Sequence, residues 1–120
     1  MNESELRAVS EIRANASTIE NFQVVWSLKA CNVKRFTTKT IDLIRYLISI
    51  DEFNLPITTR LTSAVSGRSI PTLNTSLHTL GDKDVIIMLP FLIGGMTAWV
   101  ISPRFKETFV WRYPPQPIGG

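Results

Sequence analysis

Residues 57–86 read ITTRLTSAVSGRSIPTLNTSLHTLGDKDVI, and the order of caps and apolar positions in this stretch decides the fold. Thr58 or Thr59 offers a hydroxyl that can accept a hydrogen bond from an unpaired amide in a first helical turn. Leu61, Ala64 and Val65 then face inward, and Gly67 stops the helix after about two turns by accepting a left-handed backbone. Ser69 caps again. Pro71 is tolerated directly after it, because the amide that proline lacks would have had no partner in the first turn. From Ser69 to Leu80, Ile70, Leu73, Leu77 and Leu80 recur at three, four and three, which predicts a helix with one apolar stripe. Thr72, Asn74, Thr75, Ser76, His78 and Thr79 make up its remaining surface. Gly81-Asp82-Lys83-Asp84 closes it as a turn.

Upstream, Thr40 is a plausible N-cap for a helix in which Ile41, Leu43, Ile44, Tyr46, Leu47, Ile48 and Ile50 are apolar around most of the circumference. Such a helix belongs in the centre of a small domain, touched on more than one side. Asn54-Leu55-Pro56 ends it, since proline cannot continue a helix and pushes its predecessor toward extended geometry. Leu55 to Ile57 leaves room for a short strand. Downstream, Val85 to Leu89 and Thr97 to Ile101 are β-rich, and the loop between them contains Gly94-Gly95, a hairpin signal because paired glycines allow positive φ. Farther out, Glu3 to Ala16 spaces Leu6, Val9, Ile12 and Arg13 three or four apart, an amphipathic helix with a narrow apolar stripe. Asn21 to Ala30 alternates Phe22, Val24, Trp26, Leu28 and Ala30, which predicts a strand, with a helix as the competing reading because neither Pro nor Gly interrupts it. Lys34, Arg35 and Lys39 surround Phe36 in a basic connection.

The order helix, short extended piece, two-turn helix, tight turn, helix, hairpin resembles the winged helix-turn-helix family of DNA-binding proteins. Leu61 and Ala64 in the first helix, Gly67 in the turn, Ser69 as cap, Leu73 and Leu77 in the second helix, and Leu80 before the turn into Val85-Ile86 carry the resemblance. It implies an α+β fold, a winged helix-turn-helix with a three-helix core and a β-hairpin wing over residues 37–103. Residues 1–36 form an N-terminal extension of helix and strand, available for dimerisation, and residues 104–120 a basic-aromatic C-terminal tail. Two positions depart from the family pattern. Asp84 stands where glycine usually precedes the first wing strand, a residue that tolerates left-handed geometry at small cost. The helix that would read DNA carries no Arg or Lys. Trp99-Val-Ile-Ser-Pro-Arg-Phe105, followed by the aromatic-basic tail, bears a weaker likeness to plasmid or phage replication proteins and their regulators.

Composition agrees with a folded chain: among 120 residues, 44% are apolar and 19% charged, whereas a disordered chain carries more charge and fewer large apolar residues. Thirteen Lys and Arg against ten Asp and Glu give a net charge of +3, compatible with a polyanionic partner without demanding one. The N-terminal stretch has no apolar region of the secretory kind. No apolar run approaches the roughly 20 residues that span a bilayer, so a soluble, cytoplasmic protein with no membrane partner is expected. Cys31 is the only cysteine, which rules out an internal disulfide and a cysteine metal cluster, and its apolar neighbours predict a small core residue. Paired carboxylates, a Ser/His/Asp constellation, a phosphate-cradling glycine loop and metal-ligand spacing are all missing, so neither an enzyme nor a cofactor or metal is expected.

The expected function is therefore sequence-specific binding of double-stranded DNA by a homodimeric regulator of transcription or replication. Thr72, Asn74, Thr75, Ser76 and Thr79 are the candidate readers, since hydroxyls serve bases or phosphates and Asn can pair bidentately with adenine. His78 is placed to touch a phosphate. Arg60, Arg68 and Ser69 lie at helix starts, where side chains and terminal amides hold phosphates, and Arg68 is the preferred contact. Arg104, Lys106 and Arg112 form a second basic group interleaved with Phe105, Phe109, Trp111 and Tyr113, a pattern that binds nucleic acid by charge and stacking but also describes a strand packed on a partner. The polar face of the helix reads equally as a solvated surface. Trp26, Trp99 and Trp111 fall in segments read as extended, where core or interface packing is the default. Pro90 to Met96 is apolar where a phosphate-straddling wing would carry Lys or Arg, and this supports the rival expectation of a protein-interaction module in a replication or transcription assembly.

Overall fold

The computed structural model describes residues 3–109 and 112. Its elements follow in the order α1 (Glu3–Ala16), α2 (Asn21–Ala30), α3 (Thr38–Glu52), α4 (Thr59–Ser66), α5 (Ile70–Asp82), β1 (Ile86–Ile93), β2 (Met96–Ile101) and α6 (Pro103–Lys106). This is an α+β fold with six helices and one antiparallel hairpin among the described residues.

Helix α3 is the hub. Leu43, Ile44, Leu47, Ile48 and Ile50 are all at most 1% exposed, because α1, α2, α4 and β2 pack around it. Burying one such side chain contributes about 1.5–3 kcal/mol. Its first turn begins earlier than expected: Thr37, not Thr40, is the cap, its Oγ1 accepting from the Thr40 amide at 3.2 Å. Thr37 is the better cap because its backbone is still extended (φ −103°, ψ 168°), the geometry that aims a hydroxyl at the first free amides.

The strand expected over Asn21 to Ala30 is instead helix α2. Val24, Ser27 and Leu28 are its buried positions, and the C-cap Cys31 is buried after them, a spacing of three, one and three that belongs to a helix and not to a sheet. Phe22 and Trp26, which alternation put on the buried side, are 66% and 56% exposed. Over ten residues the two periods share most of their apolar positions, and the buried polar residue Ser27 disguised the helical one. Gln23 supplies the start signal, its Oε1 accepting from the Glu20 amide at 3.2 Å, half of a capping box. Of the three tryptophans, Trp26 is thus helical, Trp99 lies in β2 and is 4% exposed, and Trp111 lies outside the described residues, as does Tyr113.

One core runs through the described residues. Val9, Ile12, Ile19, Val24 and Leu28 join the same apolar cluster as Leu47, Leu77, Trp99, Phe105 and Phe109. Polar groups reinforce the seam between α1 and α3. Asn15 Nδ2 donates to Ser49 Oγ and Glu52 Oε1 at 2.9 and 3.0 Å, and Ser49 Oγ donates to the Ile12 carbonyl at 2.7 Å. Arg112 closes it, donating to both Glu52 oxygens and to Asn15 and Thr18.

The turns between α4 and β1 use the backbone the sequence implies. Gly67 takes φ +76° after α4, Thr58 and Ser69 accept from the Leu61 and Thr72 amides, and Pro71 sits in the first turn of α5. Asp84 adopts φ +59°, the left-handed geometry a glycine would otherwise supply. Gly94 and Gly95, at φ +57° and +77°, make the two-residue hairpin turn. The strands it joins are longer than expected, β1 continuing through Pro90 to Ile93, with Leu89, Pro90 and Phe91 standing opposite Ala98 alone. The strand expected at Leu55–Ile57 contracts to one bridge, Ile57 exchanging both backbone hydrogen bonds with Trp99 at 2.7 and 2.8 Å. Pro56 before it and the cap Thr58 after it leave no room for more.

Cys31 is buried, and desolvation raises its thiol pKa above the ordinary value, with the charge of Arg104 acting in the opposite direction. The thiol therefore stays protonated at neutral pH. Native protein is expected to react slowly with a disulfide reagent and unfolded protein rapidly. Because the folded pKa is the higher one, this stabilisation is complete below the unfolded thiol pKa and is lost as pH rises through the folded value. Rapid labelling of the native chain would show an open site instead.

Candidate nucleic-acid interface

Helix α5 presents its polar residues outward because Leu73, Leu77 and Leu80 hold the opposite face at no more than 2% exposure. Ile70, the first residue of the expected stripe, is 50% exposed, since the first turn overhangs the core. Thr72, Asn74, Thr75, His78 and Thr79 are exposed and Ser76 is half-buried.

Hydrogen bonding sorts these residues. Ser69 Oγ accepts from the Thr72 amide and donates to Thr72 Oγ1 at 2.8 Å, so the Ser69 hydroxyl is committed to the cap while Thr72 keeps its own proton for an outside acceptor. Thr79 Oγ1 donates to the Thr75 carbonyl at 3.0 Å, leaving only its lone pairs for an outside donor. The side chains of Asn74, Thr75 and Ser76 make no hydrogen bond to other described residues, so the exposed pair Asn74 and Thr75 keep their full capacity. His78 sets its ring edge-on against Trp99, centroids 5.1 Å apart at 85°, which orients the imidazole and ties α5 to the hairpin.

The cations are distributed less simply. Arg68 is not a free side chain. Its Nη2 donates to the Lys39 carbonyl at 2.9 Å and pairs with Asp42 at 3.3 Å, and Asp42 also pairs with Arg45. Arg68 thus anchors the start of α5 to the start of α3. At the other end of α5, Lys83 Nζ donates to the Arg35 carbonyl at 3.1 Å. These two contacts lay the connection 35–39 alongside α5, with Lys34, Arg35 and Lys39 exposed. Cys31, Lys34, Arg35 and Lys83 line a cleft of about 320 Å³, and Arg104 is exposed in α6.

Other predicted contacts lie elsewhere. Lys106 pairs with Asp51 at 2.9 Å, and Arg112 with Glu52. Both acids sit at the far end of α3 from Lys39, about 18 Å along the helix at 1.5 Å per residue. Arg60 is exposed at the rim of an apolar groove of about 750 Å³ between α1, α4 and the hairpin tip, lined by Val9, Leu61, Ala64, Ile70, Ile93 and Met96. The structure therefore brings Ser69, the α5 residues and Arg68 to one flank, separates Lys106 and Arg112 from it, and leaves Arg104 exposed in α6. Lys34, Arg35, Lys39 and Lys83 are the members of this flank that the sequence did not assign to the site. The only signal for the first three was the basic run around Phe36, whose destination depends on tertiary packing, and Lys83 was read only as part of the turn that closes α5.

Among the described residues, no three His, Cys, Asp or Glu groups stand together to hold a metal, and no helix is long and apolar enough to cross a membrane. Comparison with known protein families, with curated proteins and with solved structures returns no match.

Proposed function

We propose that this chain is a winged helix-turn-helix protein that binds double-stranded DNA, a small regulator of transcription or replication acting as a homodimer. Helix α5 serves as the recognition helix, the β1–β2 hairpin as the wing and α3 as the third helix of the core. The observation that carries the reading is an α5 face that from Thr72 to Thr79 carries hydrogen-bonding groups and no cation, flanked along its length by the basic segment Lys34 to Lys39. Charge on the flank holds phosphates while neutral donors and acceptors meet base edges, which is the division of labour that DNA recognition requires.

The test is affinity for random duplex as a function of salt. Phosphate neutralisation predicts a steep negative slope of log affinity against log salt, and no binding at low salt would remove the proposal. For readout, Asn74→Ala with Thr75→Ala is expected to cost about 1–3 kcal/mol of discrimination per lost bidentate contact, measured as the affinity ratio for a selected site over random duplex. An unchanged ratio would take both residues out of the readout.

A second reading has its own support. The hairpin exposes Ile87, Met88, Phe91 and Leu92 and no cation, and α5 itself carries none on its outward face. These features favour a winged helix used as a protein-interaction module, the outcome indicated if duplex binding is absent.

A further inference from the structure

Strand β1 has one neighbour. The sheet order is β1–β2, and the Ile57 bridge lies on the outer side of β2. Because Trp99 gives both its N–H and its C=O to Ile57, these groups point away from β1, and the Met88↔Trp99 pair is not hydrogen-bonded. Antiparallel pairs alternate, so Ile87↔Val100 is the bonded pair, and Ile86 and Met88 turn their own N–H and C=O to the free edge. The Ser102 amide donating to the Val85 carbonyl at 3.0 Å fits the same alternation. No backbone bond to the outer edge of β1 is made among the described residues.

Two features bound the open stretch. Asp84 at φ +59° breaks the extended backbone before it, and Pro90, which has no N–H, lies in the bulge after it. Between them, residues 85–89 are centred on Ile87, which is 44% exposed. From Val85 to Pro103 there is no charged residue, so the Lys guard that ordinarily keeps an edge strand from pairing is missing.

From this geometry we infer that two copies of the chain dimerise by antiparallel pairing of β1 with β1 about a two-fold axis through Ile87. Ile86 of each copy exchanges backbone hydrogen bonds with Met88 of the other, and Ile87 meets Ile87 directly. A second copy fits this edge because the window is symmetric about one residue and self-pairing brings no like charges together. The product is a four-stranded sheet. A two-fold axis normal to an antiparallel sheet keeps each face on its own side, so both α5 helices, which pack on the Trp99 face, project from the same side of the dimer. The inference rests on the homodimeric part of the proposed function and not on DNA binding.

Light scattering of the full chain over a range of concentrations tests it. The wild type is expected to be dimeric, Ile87→Lys and Ile87→Glu each monomeric by direct like-charge opposition, and an equimolar mixture of the two variants dimeric again. Circular dichroism confirms that each variant folds. Should either fail to fold, Ile87→Cys provides the second measurement, because directly opposed thiols in a non-hydrogen-bonded pair are close enough to join on mild oxidation, whereas Phe22→Cys is expected to stay unlinked. A monomeric wild type, a dimer indifferent to Ile87→Lys, or a dimer lost on Phe22→Lys or Trp26→Lys instead would overturn the inference. Salt-dependent duplex binding, measured on the same samples, separates loss of this interface from loss of the DNA reading.

Discussion

Replacing Lys34, Arg35 and Lys39 together with alanine is expected to weaken binding to duplex DNA of any sequence by about a hundredfold at about 0.15 M salt. Each phosphate neutralised contributes about 0.9 to the slope of log affinity against log salt, so three contacts contribute about 2.7, or roughly two decades at that salt. The slope should fall in magnitude by the same amount, while the ratio between a selected site and random duplex stays nearly constant, since phosphate contacts carry no base information. The fold should survive. All three side chains are exposed, and the bonds that dock this segment on α5 use the carbonyls of Arg35 and Lys39, which alanine retains. Lys106→Ala is the contrast: its charge is spent on Asp51 at the far end of α3, so the slope should not move. A triple variant with an unaltered slope would show that the DNA path avoids the 34–39 segment.

Gly81→Ala should destabilise the protein by up to about 2 kcal/mol, the steric cost less the helical gain, opposite in sign to the usual effect. In an unconstrained helix interior, alanine is favoured over glycine by about 1 kcal/mol. Here an added Cβ would lie 2.6 Å from Trp99 Cζ3 and 3.0 Å from Cη2. The ring cannot swing away cheaply, being 4% exposed, with its backbone bonded to Ile57 in both directions and His78 against its face. Overpacking of that kind costs about 1–3 kcal/mol, enough to outweigh the helical gain and lower the thermal midpoint by several degrees. A raised midpoint would show that α5 does not seat on Trp99 as closely as the structure places it.

The core of α5 and its approach were legible in advance because every determinant is local. Ser69 and Pro71 open the helix, Leu73, Leu77 and Leu80 hold one face, and Gly67 and Asp84 mark the two left-handed turns, each a property of a residue and its near neighbours. The α2 segment was not legible in the same way. Its alternating apolar residues satisfy both periods over so short a span, and the choice was made by packing against α3, which buries Ser27 and leaves Trp26 outside. The site divides along the same line. Which residues of α5 face outward followed from its apolar stripe, but which cations stand beside it did not.

By itself, then, the chain's sequence determined the order of elements from α3 to the hairpin, the caps and turns between them, and the absence of Arg and Lys from α5, because these depend on residue identity, backbone preference and the spacing of a few residues. Tertiary structure alone decided that α1 and α2 share the core of α3, that Arg68 and Lys83 fasten the basic segment along α5, that Lys106 and Arg112 turn to the other end, and that β1 keeps a free edge. Those are contacts between residues far apart in the chain. Their partners are selected by burial and by competition among charges, and no local pattern records the winner.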